Sequence, residues 1–185
     1  MRTFIAAELG ETVLAGLTKL MAELKPFGRE IRWAKPQGIH LTFKFLGEIT
    51  PNQIVGIDEA LSRAVAECEP CQIKAGTLGG FPDLKRPRVL WVGLDNRQAL
   101  ENIHRPVERE LAQIGFPPEK RAFRPHLTLG RIKSPRAWSQ VYPHVEKRKD
   151  FSAGDIFIDH LVFFESRLRP SGAEYIKFKE YPFQG

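Results

Sequence analysis

The chain has 185 residues, 42% of them hydrophobic, an ordinary globular composition that suits one domain or two small packed lobes. Lys and Arg number 28 against 22 Asp and Glu, a formal charge of +6, which attracts anions at long range without the density of a histone-like polycation. No apolar run approaches the roughly 20 residues of a membrane helix, and Met1-Arg2-Thr3-Phe4-Ile5 lacks the apolar core and cleavage site of a secretory signal, so a cytoplasmic location without a membrane partner is expected.

Residues 2–8 alternate and predict a strand. A helical period runs from Glu11 to Lys25 through Val13, Leu14, Leu17, Leu20, Met21 and Leu24, and Pro26 and Gly28 end it. Ile31-Arg32-Trp33 predicts a short strand and residues 39–47 a second. Thr50-Pro51 offers an N-cap and a first-turn proline for a helix over 51–67, with Ile54, Ile57, Leu61 and Val65 on one stripe. Strands follow at 71–79 and 88–94, joined by the turn-rich Gly79-Gly80-Phe81-Pro82-Asp83. Residues 97–114 predict a third helix ended by Gly115, and 125–132 a strand. Residues 135–145 are ambiguous, with a short helix as the reading on offer. Strands near 151–156, 158–165 and 173–179 close the chain, the last two joined by Arg169-Pro170-Ser171-Gly172. Long helices alternating with strand pairs argue against a doubly wound parallel sheet.

One tripeptide occurs twice, as His40-Leu41-Thr42 and His126-Leu127-Thr128. A strand puts residues i and i+2 on one face, so each copy presents an imidazole and a hydroxyl together while its leucine points the other way. Two such strands in one cleft supply a proton donor, a proton acceptor and two hydroxyls for an anion. By the same parity Lys44 joins His40 and Thr42, and Leu41, Phe43 and Phe45 form the core face. Strict alternation sends Arg131 away from His126 and Thr128, unless the strand ends or bulges at Gly130.

His104, His144 and His160 lack the pattern and read as structural. Two histidines are too few for a catalytic zinc site, and there is no HExxH, so no metal is expected. No GxSxG elbow is present. Cys68 and Cys71 form a lone CxxC at a helix–strand junction, where a structural role is the simpler reading. Trp33, Phe81 and Phe123 are candidates for stacking on a base, as single-stranded ends require. Basic groups surround the second motif, with Lys120, Arg121 and Arg124 before it and Arg131 and Lys133 after it. A further basic cluster is Lys85-Arg86-Pro87-Arg88.

The chain resembles the two-histidine phosphoesterases, most closely the bacterial and archaeal RNA 2′,3′-cyclic phosphodiesterases, historically called 2′-5′ RNA ligases. The resemblance rests on Arg2-Thr3-Phe4-Ile5-Ala6, on Arg32-Trp33 leading to His40-Leu41-Thr42-Phe43-Lys44-Phe45-Leu46-Gly47, and on Pro87-Arg88-Val89-Leu90-Trp91-Val92-Gly93. It continues through Phe123-Arg124-Pro125-His126-Leu127-Thr128-Leu129-Gly130-Arg131 to Glu165-Ser166-Arg167-Leu168 and Gly172-Ala173-Glu174-Tyr175, essentially the full length. Many relatives carry alanine where this chain has Gly130.

The resemblance implies an α+β fold over residues 1–185, a single bilobal domain whose two pseudo-symmetric lobes hold antiparallel-rich sheets around a central cleft with helices outside. It implies metal-independent, cofactor-free hydrolysis of RNA 2′,3′-cyclic phosphate ends to 2′-phosphates. Carried over by motif, His40 is the proton donor to the departing 3′ oxygen and His126 the base that activates water. Thr42 and Thr128 bind the non-bridging phosphate oxygens, and Arg131 counters the developing charge. The implied partners are RNA ends or nucleotide cyclic phosphates, with no obligate protein partner and a monomeric chain. Two alternatives stay open: 2′-5′ ligation in the same site, and a module that binds RNA ends without turnover.

Overall fold

The computed structural model describes residues 1–170 and 172–184; Ser171, in the turn expected at 169–172, lies outside the described residues. Among the described residues nine strands form two sheets in which every pairing is antiparallel. The first sheet runs in the order β3 (Leu41–Glu48), β1 (Arg2–Ala7), β8 (His160–Arg169), β9 (Gly172–Pro182). The second runs β2 (Ile31–Trp33), β6 (His126–Ile132), β5 (Val89–Leu94), β4 (Cys71–Phe81), β7 (Ser152–Ile158). This is the expected bilobal α+β architecture.

Each helix buries one apolar stripe, as its period dictates. The helix α1 (Glu11–Leu24) buries Val13, Leu17, Leu20, Met21 and Leu24 and packs on β7 of the second sheet. In contrast, α2 (Ile54–Val65) and α3 (Arg97–Gln113) pack on each other and reach β9 and β3 of the first sheet. Finally α4 (Pro135–Glu146) lies against β6 and α1. No helix among the described residues is long and apolar enough to cross a membrane.

The second lobe therefore takes a helix from near the N-terminus, while β8 and β9 complete the first. One large core of buried Leu, Ile, Val and Phe side chains spans the molecule. A smaller cluster, Phe4, Ala6, Val162 and Phe164, covers the opposite face of the first sheet, with Tyr175 against it.

Three elements differ from the sequence expectation. The segment 135–145 is a full helix, because the Ser134 hydroxyl accepts the Ala137 N–H and Pro135 occupies the first turn. The helix expected from residue 51 opens instead as a 3-10 turn, Pro51–Gln53, where the Gln53 side chain accepts the Thr50 N–H at 2.9 Å. The last hairpin is longer than its alternation suggested, since pairing holds from His160 with Pro182 out to Arg169 with Gly172.

Candidate active site

The two tripeptides lie on or just before β3 and β6, and these strands approach each other with Cα atoms within 8 Å. Both strands bulge at the same place. On β3, Ala6 pairs with Thr42 and Ile5 with Lys44, so Phe43 is passed over. On β6, Trp91 pairs with Thr128 and Leu90 with Gly130, so Leu129 is passed over. An extra residue inverts the facing of all that follow. The residue four after each histidine (Lys44, Gly130) is turned toward the core, and the fifth (Phe45, Arg131) toward the cleft.

The inversion corrects the parity expected from sequence. Lys44 is buried at 2% exposure, where it ion-pairs with Glu108 of α3 at 2.8 Å and donates to the Pro117 carbonyl at 2.7 Å. Phe45, expected in the core, is 59% exposed and lies 6.2 Å from Phe4 across the cleft face. Arg131 is exposed and lines the cleft with His126, and its guanidinium acts on that imidazole. The bulge that turns it sits at Leu129, one residue before the expected position.

The histidines are held alike. The His126 Nδ1 lies 2.6 Å from the Arg124 carbonyl, two residues upstream. The Gly38 carbonyl, also two residues upstream, favours the protonated form of the His40 ring. A carbonyl can only accept, so the bonded His126 Nδ1 carries the proton and leaves Nε2 as the basic nitrogen of the neutral ring. His40 stacks on Phe4 at 4.6 Å between centroids and meets the edge of Tyr175 at 5.0 Å. That apolar cage desolvates the ring and lowers its pKa to about 4, the Gly38 carbonyl opposing only in part. His126 packs on the edge of Phe81 at 4.8 Å. Its pKa is lowered too, first by burial and then by Arg131, with the Arg124 carbonyl opposing.

The cleft has a volume of about 1970 Å³. Thr42, His126 and Arg131 line it; His40 and Thr128, on the same two motif segments, are not among its lining residues. Neighbouring it are the loop before β6 and the β4–β5 connection. Phe123, from that loop, is sandwiched between His104 at 4.0 Å and Phe43 at 5.7 Å, and the His104 Nε2 is 3.6 Å from Glu108. The buried Lys44–Glu108 pair therefore ties the first motif strand to α3 and to the segment that delivers His126. The Glu119 N–H adds to this tie by donating to Glu108 at 2.8 Å.

Of the three aromatics expected near a base, Phe81 and Phe123 line the cleft. Trp33 instead donates its indole N–H to the Gly28 carbonyl at 3.0 Å and packs on the core. Phe45 is the cleft aromatic that strand parity missed. His104 props Phe123, His144 stacks on Phe27 at 3.4 Å, and His160 sits 2.6 Å from Asp159. The Cys68 thiol bonds the Ala64 carbonyl at 3.3 Å, and burial pushes its pKa up to about 11. The Cys71 thiol is shifted upward as well, by burial, so both thiols hold their protons near neutral pH.

The two lobes each present a His-x-Thr strand with the same bulge, a duplicated arrangement, and the family model that matches the chain is found twice along it as well. The family model LigT like Phosphoesterase matches residues 9–91 and, separately, 92–175. The chain belongs to this phosphoesterase family. A relative from Thermotoga maritima, called RNA 2′,3′-cyclic phosphodiesterase, is 31% identical over 100% of this chain and 97% of its own. One of the same name from Methanocaldococcus jannaschii is 30% identical over 98% of this chain and 100% of its own. Among solved structures, a protein of Thermus thermophilus superposes with a TM-score of 0.77 at 26% identity, covering 100% of this chain and 99% of its own. E. coli LigT complexed with 3′-AMP shares the fold, with a TM-score of 0.79 at 19% identity over 100% of this chain and 98% of its own.

Proposed function

We propose that this cleft hydrolyses the 2′,3′-cyclic phosphate of an RNA end to a 2′-phosphomonoester, with His126 as base and His40 as acid. The observation that carries the reading is the matched pair of bulged His-x-Thr strands on opposite lobes. Displacement at phosphorus needs proton carriers on opposite sides. Water gives a proton to His126 Nε2 as its oxygen bonds phosphorus. The P–O3′ bond then breaks as the His40 proton passes to O3′. Thr42 and Thr128 donate to the non-bridging oxygens, and Arg131 opposes the charge that grows on them. The names of the full-length relatives support this activity, and the 3′-AMP held by E. coli LigT matches the size of a reacting nucleotide.

The lowered pKa of both histidines defines the proton inventory. In the empty cleft both rings are neutral near pH 7, which suits the base. The acid gains its proton when the anionic substrate arrives, because a negative charge beside His40 favours the imidazolium. We read residues 1–185 as one bilobal domain acting as a cytoplasmic monomer without metal or cofactor.

The test is the pH dependence of kcat/KM on a cyclic-phosphate RNA, measured with and without EDTA. A bell centred below pH 6.5 and unchanged by EDTA is expected, since both free-enzyme histidines titrate below their ordinary range. Activity lost to EDTA and restored by a divalent ion rejects the mechanism.

A further inference from the structure

The cleft carries far more positive charge than one cyclic phosphate monoanion requires. Beyond Arg131, exposed Lys85, Arg86 and Arg88 line it from the β4–β5 connection, and Lys133 from the end of β6. Arg121 and Arg124 line it from the loop before β6. None of these six forms an ion pair among the described residues, although many surface cations elsewhere do (Arg97 with Glu101, Arg148 with Glu23, Lys179 with Asp58). Among the described residues that line the cleft, Glu119 is the one carboxylate. Like charge also faces like charge across the β2–β6 pair, where Arg32 is the partner of Arg131. Such an arrangement costs stability unless an anion occupies it.

The cationic loop is built rather than loose. Asp83, the acid nearest these cations in sequence, commits its Oδ1 to the backbone N–H groups of Lys85 at 2.7 Å and Arg86 at 3.1 Å, and neutralises neither side chain by ion pairing. The Trp138 indole pins the Leu84 carbonyl at 2.8 Å. The Arg88 N–H donates to the Phe81 carbonyl at 2.6 Å, and the Arg88 carbonyl accepts the Ile132 N–H at 2.9 Å. Val89 pairs with Arg131, so Arg88 lies one step beyond the reacting end along the same strand pair. The volume of about 1970 Å³ is about twice the upper range for a small-molecule pocket. Phe45 and Phe81 sit among these cations, and aromatics interleaved with basic groups suit a single strand.

We propose that Arg86, Arg88 and Lys133 form a second subsite for the backbone phosphates upstream of the reacting nucleotide, so that the substrate is an RNA strand several nucleotides long and not a cyclic mononucleotide. This rests on the phosphodiesterase reading and adds to it the length of strand that the cleft holds.

The experiment compares uridine oligoribonucleotides of one, two, four and six residues. Affinity is measured on 2′-phosphate-ended strands by displacement of a labelled hexamer, and hydrolysis on the matching cyclic phosphates. The expected result is at least tenfold tighter binding at four residues than at one. In an Arg86→Gln, Arg88→Gln, Lys133→Gln variant most of that gain disappears, and the salt slope of log affinity shrinks by about two, as three lost phosphate contacts on a single strand require. Equal affinity at every length, or a variant that keeps the gain, overturns the subsite. Length-dependent binding with no hydrolysis at any length sustains the subsite and overturns the phosphodiesterase reading instead.

Discussion

His40 is packed as an apolar side chain would be, between Phe4 and Tyr175 with Phe164 behind, yet the proposed chemistry asks it to hold a proton. That conflict has a consequence for stability. The unfolded chain binds a proton at His40 near pH 6.5 and the folded chain only near 4, so folding is progressively opposed as pH falls from 6.5 toward 4. His126 and His104 are shifted in the same direction by burial and add to the effect. For His40 alone the expected loss between pH 7 and pH 5 is on the order of 2 kcal/mol. Urea midpoints at the two pH values should show it, with a smaller drop in a His40→Gln variant. An equal drop in both proteins would mean that the cage does not penalise the charge. That both motif strands reach the cleft, one through Thr42 and the other through His126, was legible from the two tripeptides. The apolar cage was not, because Phe4, Phe164 and Tyr175 come from strands far apart in sequence.

At the scale of elements, the matched bulges decide what each motif strand presents. Sequence alternation placed His40 with Thr42 and His126 with Thr128 on one face each, and it failed from the fourth residue after each histidine, at Lys44 and Gly130. Lys44 and Phe45 exchanged faces because pairing skips Phe43, and that skip is set by the partner strand β1. A bulge leaves little mark in the bulged strand itself, so Phe45 could not be read as a cleft residue. The helix α4 was obscured by Pro143, which lies inside it, although Ser134 and Pro135 signal its start. Gly130, where the resemblance leads one to expect alanine, has a local cause. A Cβ there would sit 2.8 Å from Ile31 Cγ2 and 3.3 Å from the Arg32 carbonyl, and a β-branched side chain on a paired strand yields little. Gly130→Ala is therefore expected to destabilise the chain by about 1–3 kcal/mol, the range for overpacking a filled site. Thermal or urea unfolding of the purified variant checks this; an unchanged midpoint would show that β2 gives way freely.

On the scale of the whole molecule, the two halves that match one family model are interlaced. Strand β3 from the first half shares its sheet with β8 from the second, and β6 from the second half shares its sheet with β2 and β4 from the first. Neither lobe can lose its partner without exposing a sheet edge and one side of the shared core. Unfolding followed by far-UV circular dichroism and by tryptophan fluorescence should give one coincident transition, because Trp33, Trp91 and Trp138 all lie in the second lobe while the helices divide between both. Two separated midpoints would show independent lobes. The same interlacing holds β3 against β6, and the central claim is that the two imidazoles act from these strands on one phosphorus. The most direct measurement is single-turnover cleavage of an RNA ending in a 2′,3′-cyclic phosphate, with the product end identified, for the wild-type chain and for His40→Ala and His126→Ala. The account predicts a 2′-phosphate product and a roughly 10²–10⁴-fold loss for each variant, the range for a positioned acid or base. A 3′-phosphate product, or either variant cleaving at the wild-type rate, would contradict it.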